Sequence, residues 1–444
     1  MHSRPASAQT RIRIRVLATA LALATCATVA TTATAQAHPS HPSHPRDPAR
    51  QTLPAGDGWA SEGPGTTGGA RAEAAHTYTV GTWEDFRAAL AAGGTAPKII
   101  KVRGILNATA SGCSAFEAPG YDFDAYLAAY DPEVWGYERE VSGPLEDARA
   151  ASATRQSKAI KAYVPANTTI IGIGRNAGIT GGSLQIQGVD NVIVRNLTVE
   201  SPLDCFPQWD PTDGAKGAWN SEYDAMVIHG STHVWIDHNT FTDGAHPDSS
   251  LPRHYGELYQ QHDGELDIVR GANHVTASWN TFADHDKTLM IGNSDSAAAT
   301  DAGKLKVTLH HNRFTGVVER APRVRFGQVD AYNNHFDVTR AQPYVYSFGI
   351  GHESRLYAEK NAFTLPPSVS PATVLKKWKD APLTDKSNYV NGRPTDLIAA
   401  HNTAHPTDPL RSDAGWTPTL RTRVDHPLAV PALTWAYAGA GKLR

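Results

Sequence analysis

The sequence predicts an all-β chain wound as a single-stranded parallel β-helix, a solenoid with long loops and a packed C-terminal extension. Two observations carry this. Five segments repeat one pattern, in which an apolar residue is followed five positions later by Asn and two further on by Phe: residues 234–241, 275–282, 307–314, 329–336 and 356–363. The asparagines, Asn239, Asn280, Asn312, Asn334 and Asn361, are spaced by 41, 32, 22 and 27 residues, within the period of about 20–50 that marks a repeat architecture. Each unit alternates like a strand, turns at Asn and resumes, so it closes no core alone. Stacked as rungs, the units bury their inward side chains and pair every backbone edge. The irregular spacing fits a solenoid, whose loops leave one corner at any length, better than the even blades of a propeller.

In chain order, Arg4, Arg11, Arg13 and Arg15 precede an apolar, Ala/Thr-rich run, and AQA at 35–37 offers a small-residue cleavage site. Residues 1–37 therefore read as a signal peptide and the protein as secreted and extracellular. A membrane anchor fits less well, because no charged stop-transfer pattern follows. Residues 38–75, rich in His-Pro-Ser and Gly, read as a low-complexity linker with little to bury, and residues 76–444 as one β-helix domain. Within it, residues 82–91 form an amphipathic helix and residues 98–102 a strand. Strand-like units at 167–173 and 191–199 lead into the five repeats, with loops expected at 201–221 and 243–260. After Asn361 the repeat fades, and residues 364–444 are expected to pack along the outside. In the repeats, the aligned asparagines can hydrogen-bond to one another and to the turn backbone.

Net charge is −3, so nothing overall recruits nucleic acid or an anionic membrane. Cys26 leaves with the signal, and the remaining Cys113 and Cys205 suggest one disulfide or, alternatively, two buried thiols.

Two carboxylate pairs stand just before rungs, Glu222 with Asp224 and Asp263 with Asp267. On neighbouring strands all four would gather about one hard cation, Ca²⁺ in an exported protein; the alternative is a solvated acidic face paired with Arg270 and Lys287. Lys287 ends a rung. Arg320, Arg323 and Arg325 crowd around Pro322, where they either brace a turn or face an anion. His238, His285, His310 and His311 lack a closed zinc-ligand spacing and read as structural.

The stretches WIDH (235–238), HDGELDI (262–268), DHDK (284–287) and RAPRVRFG (320–327), in this order, resemble those of the pectate lyase family of secreted polysaccharide lyases, over roughly residues 98–361. TTIIGIG (168–174) and NVIVRNL (191–197) are weaker matches. The resemblance implies a right-handed parallel β-helix that cleaves polygalacturonate by Ca²⁺-dependent β-elimination, as a monomer. It places the catalytic base on Arg320, substrate binding on Lys287 and Arg325, and calcium on Glu222, Asp224, Asp263 and Asp267. Members of the family exchange Asp and Glu at the first and third of these positions. Trp235 and Asp237 are structural in this reading, and Arg323 has no assigned role. A pectin lyase acting on methyl-esterified polymer would not need the four carboxylates. A polygalacturonase-type hydrolase would need paired Asp as acid and base, and a non-catalytic binder of acidic polysaccharide would carry the same charges.

Overall fold

A computed structural model describes residues 47–340 and 343–443. The signal expected over 1–37 and the start of the expected linker, 38–46, lie outside them. The chain coils as a right-handed parallel β-helix with three long sheets of eleven, ten and eight strands. One turn contributes one strand to each sheet: Met226–His229, Thr232–Asp237 and Thr240–Thr242, then Leu266–Val269, Asn273–Ser278 and Thr281–Ala283. The registers place Val234, Val275, Val307, Val329, Leu356 and Leu383 opposite one another on successive rungs. All six are fully buried, so the apolar residue that opens each sequence unit lines the core.

Five residues further on, the asparagines form a continuous ladder. Asn239, Asn280, Asn312, Asn334 and Asn361 each donate their backbone N–H to the Oδ1 of the asparagine on the next rung, at 2.8–3.0 Å. The left-handed backbone of the turn falls one residue earlier than the asparagine, on His238, Trp279, His311, Asn333 and Lys360, with φ between 51° and 54°. The buried amides hold this turn even with Trp or His at the strained position. The ladder runs one rung past the expected end, to Asn388. Two residues beyond each asparagine, Phe241, Phe282, Phe314, Phe336 and Phe363 stack with centroids 4.6–5.1 Å apart and planes within 10°. After Asn388 the equivalent residue is Val390, also buried.

The helix Trp83–Ala91, capped by the Thr82 hydroxyl, seals the N-terminal end of the core with Trp83, Phe86 and Leu90. Between the first strands the chain carries an insert the strand pattern does not reveal, with helices Phe123–Ala129, Pro132–Trp135 and Pro144–Ile160. Tyr126 and Tyr130 of this insert pack with Trp209, Trp219 and Tyr259 of the two long loops in a separate aromatic core. Cys113 and Cys205 are disulfide-bonded, tying insert to loop across 92 residues of chain.

From residue 47 on, the expected linker is instead a packed strap. Gly/Pro/Thr-rich composition buries few side chains, but here the backbone is held by threonines and an asparagine on the outer face of the eleven-stranded sheet. Trp59 and Ala60 donate their N–H to Thr308 and Thr276 Oγ1, both at 3.0 Å, and Gly69 to Thr169 Oγ1 at 2.8 Å. Thr67 and Gly68 donate to Asn191 Oδ1 at 2.7 Å. A Cβ on Gly69 would meet the Lys98 carbonyl oxygen at 2.0 Å, so only glycine allows this approach. The C-terminal segment packs along the same outer surface, with the Arg421 guanidinium bound to Asp330 and Glu359.

Candidate active site

The outward residues of the eight-stranded sheet form one register line, Tyr163, Gln185, Val227, Asp267, Met290, Arg323, Gly349 and Lys376, one from each rung. The motif residues cluster at its middle because each precedes or occupies a strand of this sheet. Asp224 lies just before Met226–His229, and Asp263 and Asp267 flank the start of Leu266–Val269. Lys287 precedes Leu289–Ile291 and forms a backbone bridge with Glu319 of the next rung.

Asp224 and Asp267 converge over Gly264. Its N–H donates to Asp224 Oδ1 at 2.9 Å, and a Cβ placed there would sit 2.6 Å from Asp267 Oδ1 and 2.9 Å from Asp224 Oδ1. Glycine thus clears the floor beneath two carboxylates. Burial, Asp267 and Asp263 together push the Asp224 carboxyl well above its ordinary range. Burial and Asp263 push Asp267 up to about 7, against the pull of Arg320. Three mutually repelling carboxylates in one place are a donor set for a hard, oxygen-seeking cation.

Glu222 lies two residues before Asp224. Residues 221–225 lie outside any strand, with Tyr223 fully buried between Glu222 and Asp224. The Glu222 backbone N–H donates to Asp204 Oδ2 at 3.1 Å, and burial, with Glu222 adding to it, pushes the Asp204 carboxyl up to about 7. The electrostatics couple Asp224, Asp263 and Asp267 to one another.

The cations face the trio from the next two rungs. Lys287 Nζ lies 3.9 Å from Asp263 Oδ1. Arg320 donates from Nε to Glu319 Oε1 at 3.0 Å. Burial works against its charge, but Glu319, Asp267 and Asp263 hold the guanidinium above its usual range. Arg325 donates to Asp295 Oδ1 at 2.8 Å and to the Gly292 carbonyl at 2.9 Å. Arg323 instead lies with its guanidinium 4.1 Å from the ring centre of Trp378. The arginine cluster thus divides its labour: Arg325 is braced, Arg323 stacks, and Arg320 looks toward the carboxylates.

Beside the trio lies a buried group that spacing did not reveal. Asp243, Asp248 and His262 bring ligating atoms within 4.8 Å of one another, and His285 Nδ1 meets Asp243 Oδ1 at 2.6 Å. Burial opposes its charge, yet Asp243 pushes the His285 imidazole up to about 10. His238 is held by Asp237 at 2.8 Å, and His310 and His311 bond to each other at 2.9 Å. Asp237 also binds Arg195 at 2.6 Å and accepts from Ser278 Oγ at 2.8 Å. Trp235 donates to the same Ser278 hydroxyl at 2.9 Å and stacks under Arg195.

Carboxylates and cations interleaved across the outward face of a parallel β-helix make a site suited to an acidic polysaccharide. Comparison with known proteins narrows this. The family model described as pectate lyase matches residues 47–118 and 128–410. The chain is similar to the pectate lyase of Bacillus subtilis (strain 168), at 44% identity over 89% of this chain and 94% of that protein. It is also similar to pectate lyase D of Dickeya chrysanthemi, at 40% identity over 82% and 86%. Among solved structures, the thermostable pectate lyase PL 47 superposes with a TM-score of 0.87 at 43% identity, covering 90% of this chain and all of that one. A pectate lyase bound to hexasaccharide does so with 0.85 at 43% identity and the same coverage. The chain belongs to the pectate lyase family.

Proposed function

We propose that this protein is a secreted, monomeric pectate lyase that cleaves α-1,4-linked polygalacturonate by Ca²⁺-dependent β-elimination, leaving 4,5-unsaturated ends. The observation that carries this is Arg320 set against the converged Asp224, Asp263 and Asp267, with Lys287 on the rung between. The reaction removes the proton at C5, alpha to a uronate carboxylate. The C5–H pair becomes the C4–C5 double bond, the C4–O bond breaks, and the departing oxygen takes a proton from solvent. Arg320 is assigned as the base that accepts the C5 proton. Lys287 and Arg325 are assigned to the substrate carboxylate, where their charge stabilises the enolate-like transition state.

Asp224, Asp263 and Asp267 would hold Ca²⁺; when bound, it supplies Lewis acidity at the uronate carboxylate. The all-oxygen donor set and the repulsion between its members fit such an ion. Glu222, two residues before Asp224, is assigned to the same site. The deciding experiment is ultraviolet absorbance of the unsaturated product from polygalacturonate, with and without chelator. Chelator-sensitive product formation supports the reading. Binding without product would leave a polysaccharide-binding protein, and preference for methyl-esterified polymer a pectin lyase.

A further inference from the structure

One fully buried side chain, Asp204, joins the chain segments that lead into the two carboxylate-bearing strands. Its Oδ1 accepts from the Phe206 N–H at 2.8 Å and its Oδ2 from the Glu222 N–H at 3.1 Å. Its backbone N–H donates to the Gln261 carbonyl at 2.8 Å, and its carbonyl accepts from Gln261 Nε2 at 2.7 Å. Glu222 stands two residues before Asp224, and Gln261 two before Asp263. The Pro202 carbonyl, two residues before Asp204, lies 3.0 Å from His262 Nδ1. Residues 221–225 and 260–265 belong to no strand, so contacts from outside the sheets help to place Asp224 and Asp263.

The loop that carries Asp204 is fixed from behind by the helical insert. From helix Pro144–Ile160, Arg149 Nη1 donates to the Phe206 carbonyl at 2.8 Å and Gln156 Nε2 to the Leu203 carbonyl at 2.8 Å. Gln156 Oε1 accepts from the Cys205 N–H at 3.0 Å. Both side chains are buried, and Arg149 is braced by both carboxylate oxygens of Glu146. The same helix reaches the ligand segment directly: the Ala153 carbonyl accepts from the Tyr223 hydroxyl at 2.8 Å, between Glu222 and Asp224. The Cys113–Cys205 disulfide closes this frame. Carboxylates that repel one another stay together only where the chain holds them, and the groups that hold metal ligands typically govern affinity by about tenfold or more.

We propose that Asp204 is a positioning residue that sets Asp224 against Asp263, and that the disulfide-stapled insert behind it sets the affinity of this site for a divalent cation. The proposal rests on the calcium reading above for its cation. Ca²⁺ binding is measured by isothermal titration calorimetry, beside melting temperature in chelator, for wild type, Asp204→Asn, wild type held in reductant, and Asn312→Ala. The amide in Asp204→Asn keeps one acceptor oxygen and leaves either the Phe206 or the Glu222 N–H unmatched. The expected result is a Ca²⁺ Kd weakened roughly tenfold in Asp204→Asn and in the reduced protein. Asn312→Ala, destabilised in the asparagine ladder, should bind as wild type does. An unchanged Kd in Asp204→Asn overturns its positioning role, and an unchanged Kd in the reduced protein overturns that of the insert. Equal weakening in Asn312→Ala overturns both, since affinity would then follow stability alone. Should either altered protein fail to fold, the other decides. A wild type that binds no Ca²⁺ overturns the calcium reading and this proposal together, whereas wild-type binding with unmoved variants removes this proposal alone.

Discussion

Asn312 donates from Nδ2 to Asn334 Oδ1 on the next rung at 3.0 Å. The same nitrogen donates to the Ala277 carbonyl at 2.9 Å, and the Asn312 Oδ1 accepts from the Asn280 backbone at 2.9 Å. Asn312→Ala would leave the Asn280 N–H and the Ala277 carbonyl buried and unmatched, at a cost of about 3 kcal/mol. Denaturant unfolding checks this; a loss below about 1 kcal/mol would show that the ladder is replaceable.

Arg320→Lys is expected to abolish product formation while polygalacturonate binding persists. Lysine keeps the charge but changes where a proton can be taken up. Since Glu319 and Asp267 hold the guanidinium protonated, the active fraction should grow with pH. A rate that falls steadily from about pH 7 to about pH 10 in folded protein would count against an arginine base.

Asp267→Asn should trade activity for stability. With its carboxyl pushed up to about 7 by burial and Asp263, the ionised form opposes folding above the unfolded value near 3.9. In chelator near pH 8 the variant is expected to melt higher than wild type and to show no turnover at ambient calcium. Equal melting temperatures would remove the repulsion argument.

The Cys113–Cys205 bond closes a loop spanning 92 residues, for which chain entropy gives about 4–5 kcal/mol. Reductant, or the double Ser variant, should lower the melting temperature. Proteolysis should then begin in the helical insert rather than in the coil. First cuts within the rungs would contradict this.

The pH dependence of stability should have two limbs. Burial and His310 push His311 down to about 3, and burial pushes His335 down to about 4. Both stay neutral in the fold, so stability is full above about 6.5 and declines as acid protonates the unfolded chain. His285, pushed up to about 10 by Asp243 against burial, works oppositely: its contribution is complete below about 6.5 and is lost toward pH 10. Urea midpoints across this range test both limbs, and His285→Gln should flatten the alkaline one.

The rungs were legible because an inward valine, a turn asparagine and a stacked phenylalanine recur at fixed offsets, whatever the loops between them do. Where one member changes, as at Val390, the eye loses the rung although the Asn388 ladder bond remains. The strap at Trp59 was illegible because its partners are side chains of Thr276 and Thr308, more than two hundred residues away. Asp224, Asp263 and Asp267 stand together in motif order, but the burial and mutual repulsion that raise Asp224 and Asp267 became visible only in the fold. The Arg323 stacking partner, Trp378, lies outside any recognisable motif.

The strap has one further consequence. Gly58 donates to the Leu420 carbonyl at 3.0 Å, and Thr422 Oγ1 to Asp57 Oδ1 at 2.9 Å. Residues near the start of the described chain are thus fastened to residues near its end. A coil can grow rung by rung through near neighbours, but this clasp must wait until nearly the whole chain exists, since closing so long a loop early is entropically costly. The two ends of the coil are thus expected to be joined only after the rungs between them have stacked.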